Sequence, residues 1–388
     1  MPQIKPEVET FARIKVLGIG GSGRNAVNHM INSRVTGVDF IAVNTDAQDL
    51  HHSAAKKKIH IGKNLTRGLG TGMNPDLGRK AVEETKEEIQ ESVKGADMVF
   101  LAGGFGGGTF SGAAAPIAQI ARELGALTVA VVTKPFFFEG QQRMRIAEQG
   151  LDSLRKAVDA IIIIPNDRLL NTITKETTAK HAFAMCDEVL KQAVEGISDL
   201  ITTPGVINID FADIRAVMEN AGSALMGIGT ASGENRAIEA AKMAINSPLL
   251  ELSIAGAKGV LFSVAGGDDL TMFEIQEAAK VITESVDTEA KIIFGTIYTD
   301  ELKKGDIRIT VIASGFPESP GKRASLFPGI GMSNKDNKDR EEKGKIYNTP
   351  IQSSESKAAE KKEVAKEQEE ADDDWSAVPA FLRRSKLK

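Results

Sequence analysis

Residues 98–116, MVFLAGGFGGGTFSGAAAP, decide how the rest of the chain is read. Met98 to Ala102 form an apolar run that suits a buried strand and is too short for a helix of its own. Gly103, Gly104, Gly106, Gly107 and Gly108 follow, interrupted only by Phe105, and Thr109, Ser111 and Gly112 lead into an Ala-rich helix, AAAPIAQIARELG. Strand, glycine loop and helix start leave free backbone N–H groups aimed at an anion, with the helix dipole behind them. A flexible turn needs only one or two glycines, so this density points to a phosphate cradle.

Outward from that stretch, apolar strands alternate with helices. Arg13–Ile19 runs into Gly18-Ile-Gly-Gly-Ser-Gly23 and the helix NAVNHMIN, and Val38–Val43 ends in Asn44-Thr45-Asp46. Lys58–Ile61 is a third strand, followed by the loop 66–75, TRGLGTGMNP, and a charged helix from Leu77 to about Val93. Leu127–Val132 and Ala160–Ile164 are fully apolar, with the amphipathic segment Gln141–Val158 between them. Strands that are apolar on both faces and alternate with helices predict a parallel sheet covered on both sides. Ligands of such sheets bind beyond the carboxyl ends of the strands, where every one of these glycine loops lies.

A long helix is predicted over about Lys175–Leu200, with an apolar stripe of Phe183, Cys186, Leu190, Ala193, Ile197 and Ile201. Beyond Thr203-Pro-Gly the pattern restarts. Val206–Ile209, Gly259–Ala265, Lys291–Thr299 and Arg308–Ser314 read as strands, and Asp213–Asn220 and Arg236–Ile245 as helices. The whole predicts an α/β protein in which a parallel-sheet nucleotide-binding domain is joined by a long central helix to a smaller α/β domain. After Pro317 the chain is rich in Lys, Glu, Ser, Gly and Asn, the composition of a disordered linker. Trp375, Val378, Phe381 and Leu382 then cluster before a basic end, as in a partner-binding peptide on a tether.

Composition sets the limits. The 388 residues carry a net charge of −5, which argues against broad nucleic-acid binding. A lone cysteine, Cys186, excludes a disulfide framework and a thiolate zinc site. The N-terminal stretch has no apolar core of signal length and no apolar span long enough to cross a membrane, so a soluble cytoplasmic protein is expected. Gly18-x-Gly-x-x-Gly23 with Asp39 downstream matches the dinucleotide fingerprint, but the richer loop at 103–112 argues against a dinucleotide fold, which needs one phosphate turn. No G-x-x-x-x-G-K-[ST] is present, so a triphosphate would be held by backbone amides from several loops together with a metal ion.

These segments together resemble the FtsZ family, the bacterial relatives of tubulin, over roughly the first three hundred residues and again at the tail. The resemblance is carried by GIGGSGRNAV (18–27), NTDAQ (44–48), TRGLGTGMNP (66–75), the loop 103–112, KPFFFEG (134–140), IPNDRLL (164–170), NIDFADI (208–214), GSALMGIG (222–229) and VPAFLRR (378–384). It implies GTP and GDP as ligands, with magnesium as the default metal for a triphosphate; the residues that would hold the metal are not identified. Gly20, Gly21, Ser22 and Asn25 would line the first phosphate loop, Gly72 would close the third, and Gly104, Gly107, Gly108 and Thr109 would cradle the outer phosphates. Glu139 and Arg143 would hold the ribose and nearby phosphate. Asn166 and Asp187 would read guanine, with Phe183 stacked on it, because a carboxylate accepts from guanine N1–H and amino group together and adenine offers no such pair. Read from the residues alone, Asp187 is equally a solvated helix residue and Phe183 a core one.

Asn208, Asp210 and Asp213 match the family's acidic loop, which acts on the GTP of the next subunit. Alone, Asp210 reads as the N-cap of the helix that follows. The resemblance thus implies a GTPase that polymerises head-to-tail with itself into the cell-division ring, on the inner face of the membrane. It divides the chain into a flexible arm (1–12), a GTP-binding domain (13–174), the central helix (175–203), a C-terminal domain (204–318), a disordered linker (319–370) and a peptide (371–388). Through residues 375–388 the peptide would bind a membrane adaptor such as FtsA or SepF, so membrane contact is indirect. One departure favours a rival, a nucleotide-binding polymer or regulator with little GTPase activity. The family's usual run is G-G-G-T-G-[TS]-G-A-A-P, whereas here Phe110 stands in place of a glycine and the proline, Pro116, falls one position later. If φ at 110 must be positive, the loop is strained; if the ring turns toward the sheet or helix, the amides of 107–109 still reach phosphate.

Overall fold

A computed structural model describes residues 12–170, 176–203, 205–247, 253–299 and 302–316. The predicted linker and terminal peptide lie outside these residues. Six strands, β1 (Ile14–Ile19), β2 (Val38–Asn44), β3 (Lys57–His60), β4 (Met98–Gly104), β5 (Leu127–Lys134) and β6 (Ala160–Pro165), pair in parallel in the order β3-β2-β1-β4-β5-β6. Their side chains divide alternately between two cores, as a period of two requires. Met98, Phe100 and Ala102 of β4 face one core, on the side of the central helix Ala179–Thr202, and Val99 and Leu101 face the other. Strand order reverses between β1 and β4, and the glycine loops following these two strands flank that switch point, where a doubly wound sheet opens a crevice.

The second half continues the same sheet. β7 (Gly222–Ser232) pairs in parallel with β6 over Gly222–Ala224 and then antiparallel with β10 (Asp306–Ser314) over Leu225–Ser232. β8 (Gly259–Gly266) and β9 (Lys291–Tyr298) complete the far edge. Behind them a third core forms around Phe262, Ile275, Ile282 and Ile309.

Several predicted elements take a different form. The Leu77–Val93 helix is two helices, Pro75–Glu84 and Lys86–Val93, because Thr85 leaves helical geometry while its hydroxyl accepts from Gly62 N at 3.2 Å. The central helix begins at Ala179, capped by Thr178, and runs to Thr202. Val206–Ile209 is not a strand: Asn208 Oδ1 accepts from Gly205 N at 2.7 Å, and only Ile207 is tied to β9, through Thr296. The helices Pro75–Glu84 and Gly108–Glu123 cross at glycine contacts. A Cβ on Gly112 would lie 1.9 Å from Pro75 O, and one on Gly78 would lie 2.4 Å from Gly108 O. This close approach brings the 66–75 loop onto the glycine loop after β4.

Candidate nucleotide site

A cavity of about 420 Å³, within the range of small-ligand sites, opens beyond the carboxyl ends of β1, β4, β5 and β6. Around it stand Gly20, Gly21, Ser22 and Asn25 from the first loop, and Gly104, Gly107, Gly108 and Thr109 from the second. Glu139, Arg143, Asn166, Phe183 and Asp187 complete the wall. Gly72 does not line the cavity; its neighbours Thr71 and Met73 do. Residues from six separate stretches of sequence are therefore brought to one place.

Of the helices that start at this cavity, Gly20–Asn32 and Gly108–Glu123 begin in its glycine loops. Neither has a side-chain N-cap or an acidic residue in its first turn. Asp46, Asn74, Thr178, Asp210 and Thr271 cap their helices with side chains, whereas Lys86–Val93, Gln141–Arg155 and Arg236–Ile245 also start without such a cap. Uncapped N–H groups need an external acceptor, and the dipole favours an anionic one. Around Gly107 nothing lies within 4 Å of where a Cβ would stand, which leaves room for close approach. Ser22 Oγ accepts from Gly104 N at 2.7 Å and so joins the two loops.

The other end suits a heterocycle. Asn166 lines the cavity, and its Oδ1 is buried without a hydrogen-bond partner among the described residues. Phe183 and Asp187 share a helical face one turn apart. Phe183, expected on the apolar stripe, is 50% exposed, and its ring is edge-on to buried Phe136, so the core part of the stripe begins at Cys186. Burial pushes the Asp187 carboxyl up to about 6, against the opposing pull of His29 and Arg24. Cys186 also lines the cavity, and burial, reinforced by the Asp187 charge, pushes its thiol up to about 12, so it is inert as a nucleophile. Glu139 accepts from Arg143 at 2.8 Å and from Phe136 N at 3.0 Å, which fixes both side chains at the rim. An uncapped anion end, an orphaned acceptor and a desolvated carboxylate fit a purine nucleotide.

Phe110 lies inside the Gly108–Glu123 helix and is not among the residues with positive φ. Its ring is 2% exposed and packs edge-on against Phe105, with centroids 4.9 Å apart. It fills the space beside Gly103, where a Cβ would come within 2.2 Å of it. The ring therefore points into the sheet–helix core and leaves the amides of 107–109 free. Phe110→Gly should cost about 3–5 kcal/mol of stability, from the cavity it opens and from a glycine inside a helix. Urea denaturation measures this, and a variant as stable as the parent would contradict the packing role.

The acidic loop is elsewhere. Asp210 Oδ1 accepts from Asp213 N at 2.8 Å, the expected N-cap of helix Phe211–Met218. This helix abuts the far end of Gly108–Glu123, where Arg215 donates to Gly125 O at 3.4 Å and Arg122 donates to Asn220. A helix of 16 residues spans about 24 Å, so Asp210 and Asp213 are remote from their own chain's cavity.

Residues with no role assigned from sequence also meet here. Arg24 pairs with Asp49, which in turn accepts from Asn44 Nδ2 at 2.7 Å, bracing the first loop. Thr45 and Thr71, both inside quoted motifs, hydrogen-bond Thr109. The motifs marked their segments, but nothing in the spacing said which side chains would touch.

Comparison with known proteins gives two family matches. Residues 13–174 match the GTPase domain of the Tubulin/FtsZ family, and residues 222–317 match the C-terminal domain of the FtsZ family. Among solved structures, an empty FtsZ dimer from M. jannaschii is 45% identical, with a TM-score of 0.75 over 79% of this chain and 89% of that one. A point mutant of FtsZ from M. jannaschii matches with the same identity and TM-score, over 79% of this chain and 92% of that one. CetZ2 from Haloferax volcanii, a GTPγS-bound protofilament, shares the fold at 19% identity and a TM-score of 0.68, over 79% of this chain and 94% of that one.

Proposed function

The chain belongs to the tubulin/FtsZ family and carries its GTPase domain, and from that premise we propose that it hydrolyses GTP within head-to-tail filaments of itself. In this reading the uncapped helix starts hold the phosphates, Glu139 and Arg143 the ribose side, and Asn166, Phe183 and Asp187 the guanine. Water is positioned by Asp210 and Asp213 of the next subunit, with Asn208 shaping their loop. The observation that carries the reading is the distance of about one 16-residue helix between the acidic loop and the cavity. A site divided in this way is completed only when a second copy adds head-to-tail, a contact that does not close and so propagates a filament. Hydrolysis asks mainly for positioning and charge stabilisation, which two half-sites can supply.

Among the described residues no group of three His, Cys, Asp or Glu side chains could hold a metal, so a magnesium ion would arrive with the nucleotide and be held largely by phosphate oxygens and water. The inward packing of Phe110 leaves the amides of 107–109 open to phosphate, which supports binding at this loop.

The filament would serve the division ring in the cytoplasm, tethered through residues 375–388 to an adaptor such as FtsA or SepF. No helix among the described residues is long and apolar enough to cross a membrane. The test is phosphate release measured over a range of protein concentrations. Turnover per molecule should rise steeply above a threshold concentration and then level off; a rate independent of concentration would overturn the split site.

A further inference from the structure

Three threonine hydroxyls meet behind the phosphate end of the cavity. Thr45 follows β2, Thr71 sits in the 66–75 loop, and Thr109 opens the helix after β4. Thr45 Oγ1 lies 2.7 Å from Thr109 Oγ1, and Thr71 Oγ1 lies 3.3 Å from the same oxygen. All three residues are buried, Thr45 completely. The backbone of Thr45 is itself fixed. Its N–H donates to Asn44 Oδ1 at 2.8 Å, and its carbonyl accepts from Thr66 Oγ1 at 3.0 Å.

Each hydroxyl has one proton and two acceptor lone pairs. Among the described residues, Thr109 is the hydrogen-bond partner of the Thr45 hydroxyl. Were Thr45 the acceptor, its own proton would be buried with nothing to receive it, the costly arrangement for a polar group. Thr45 therefore donates. Thr71 Oγ1 lies on another side of the same oxygen. With one lone pair taken by Thr45, the Thr109 proton is left to Thr71 or to the cavity that Thr71, Gly107 and Gly108 share with it. Phosphate oxygens accept and do not donate, so a hydroxyl whose proton is kept off Thr45 is set for an anion.

We propose that Thr45 is a positioning residue for the terminal phosphate of the nucleotide. It orients the Thr109 proton toward that phosphate, while Thr71 links the 66–75 loop to the same contact. The inference rests on the triphosphate reading of the cavity. It names the terminal phosphate because the guanine-side groups Asn166, Phe183 and Asp187 occupy the part of the wall built by β6 and the central helix, and the hydroxyls lie where the 66–75 loop closes the site. Without a terminal phosphate, the Thr109 proton falls back on Thr71, and the contact distinguishes triphosphate from diphosphate.

Calorimetric titration with GTPγS and with GDP tests this on the full chain, as wild type, Thr45→Val, Thr45→Ser and Thr71→Val. Thr45→Val should lower GTPγS affinity about tenfold, the worth of one hydrogen bond to a charged group, and change GDP affinity much less. Thr45→Ser should restore the wild-type ratio of the two affinities, and Thr71→Val should move it in the same direction as Thr45→Val. An equal loss for both nucleotides, an unchanged ratio, or failure of serine to rescue would overturn the inference. Should Thr45→Val not fold, an unchanged ratio in Thr71→Val overturns it alone. A wild-type chain that binds neither nucleotide rejects the GTP reading, and this inference with it.

Discussion

Asp187→Asn is expected to lower GTP affinity by about a hundredfold or more and to move base preference from guanine toward xanthine. The carboxylate stands on the central helix one turn after Phe183, desolvated and facing the cavity. It offers two acceptors to the N1–H and amino group of guanine, and each hydrogen bond to a charged group contributes about 1.5–3 kcal/mol. An amide keeps one acceptor and sets its own NH2 against the guanine amino group. Xanthine carries a carbonyl at that position, which the amide can satisfy. Competition of labelled GTP with unlabelled XTP and GTP measures both effects, and an asparagine variant that still prefers guanine would remove Asp187 from base recognition.

The same carboxyl makes binding sensitive to pH. In the free protein it titrates at about 6, raised chiefly by burial. Guanine binds the ionised form, so affinity is full well above that pH and falls about tenfold per unit below it. The asparagine variant should lose this slope, which separates the effect from general acid unfolding.

The second large effect concerns the acidic loop. Asp210→Asn and Asp213→Asn should bind GTP as the parent does yet hydrolyse it about 10²- to 10⁴-fold more slowly, the usual range for losing a group that moves or orients a proton. Asparagine caps a helix as well as aspartate, so the fold of Phe211–Met218 should survive the change at 210. Mixing decides where the loop acts. Asp210→Asn retains a sound cavity, and Asp187→Asn retains a sound loop. If the loop of one copy serves the cavity of the next, the mixture regains phosphate release that neither variant has alone. A mixture no better than the sum of its parts would mean the acidic loop does not work across subunits.

Much of the framework could be read along the chain. Apolar runs predicted β1, β4, β5 and β6 to within one or two residues, because alternate faces of a doubly covered sheet both demand apolar side chains. Asp210 as an N-cap was legible for a similarly local reason, a carboxylate three residues before an N–H that lacks a partner. Where local patterns misled, a distant contact intervened. Thr85 broke a continuous charged helix by serving Gly62, and Asn208, inside the predicted strand at 206–209, turned its side chain back to Gly205 N. Phe183 fitted an apolar stripe by its spacing, yet the stripe outruns the core it packs against, so its first ring stands at the cavity mouth.

What the sequence by itself determined is a set of local preferences: most of the strands, which loops present bare amides, and the cap at Asp210. These follow from periodicity and backbone chemistry within a few residues. Only the tertiary structure decided where Phe110 points, which three threonines share one hydrogen-bonded oxygen, and how far Asp210 stands from the phosphate end. Each depends on how faces separated by tens of residues are packed together. The Phe110 ring is accommodated because Gly103, on another element, has no Cβ to oppose it. The glycine loop could thus be recognised from its own residues, and the fate of its one bulky side chain was set by the strand beside it.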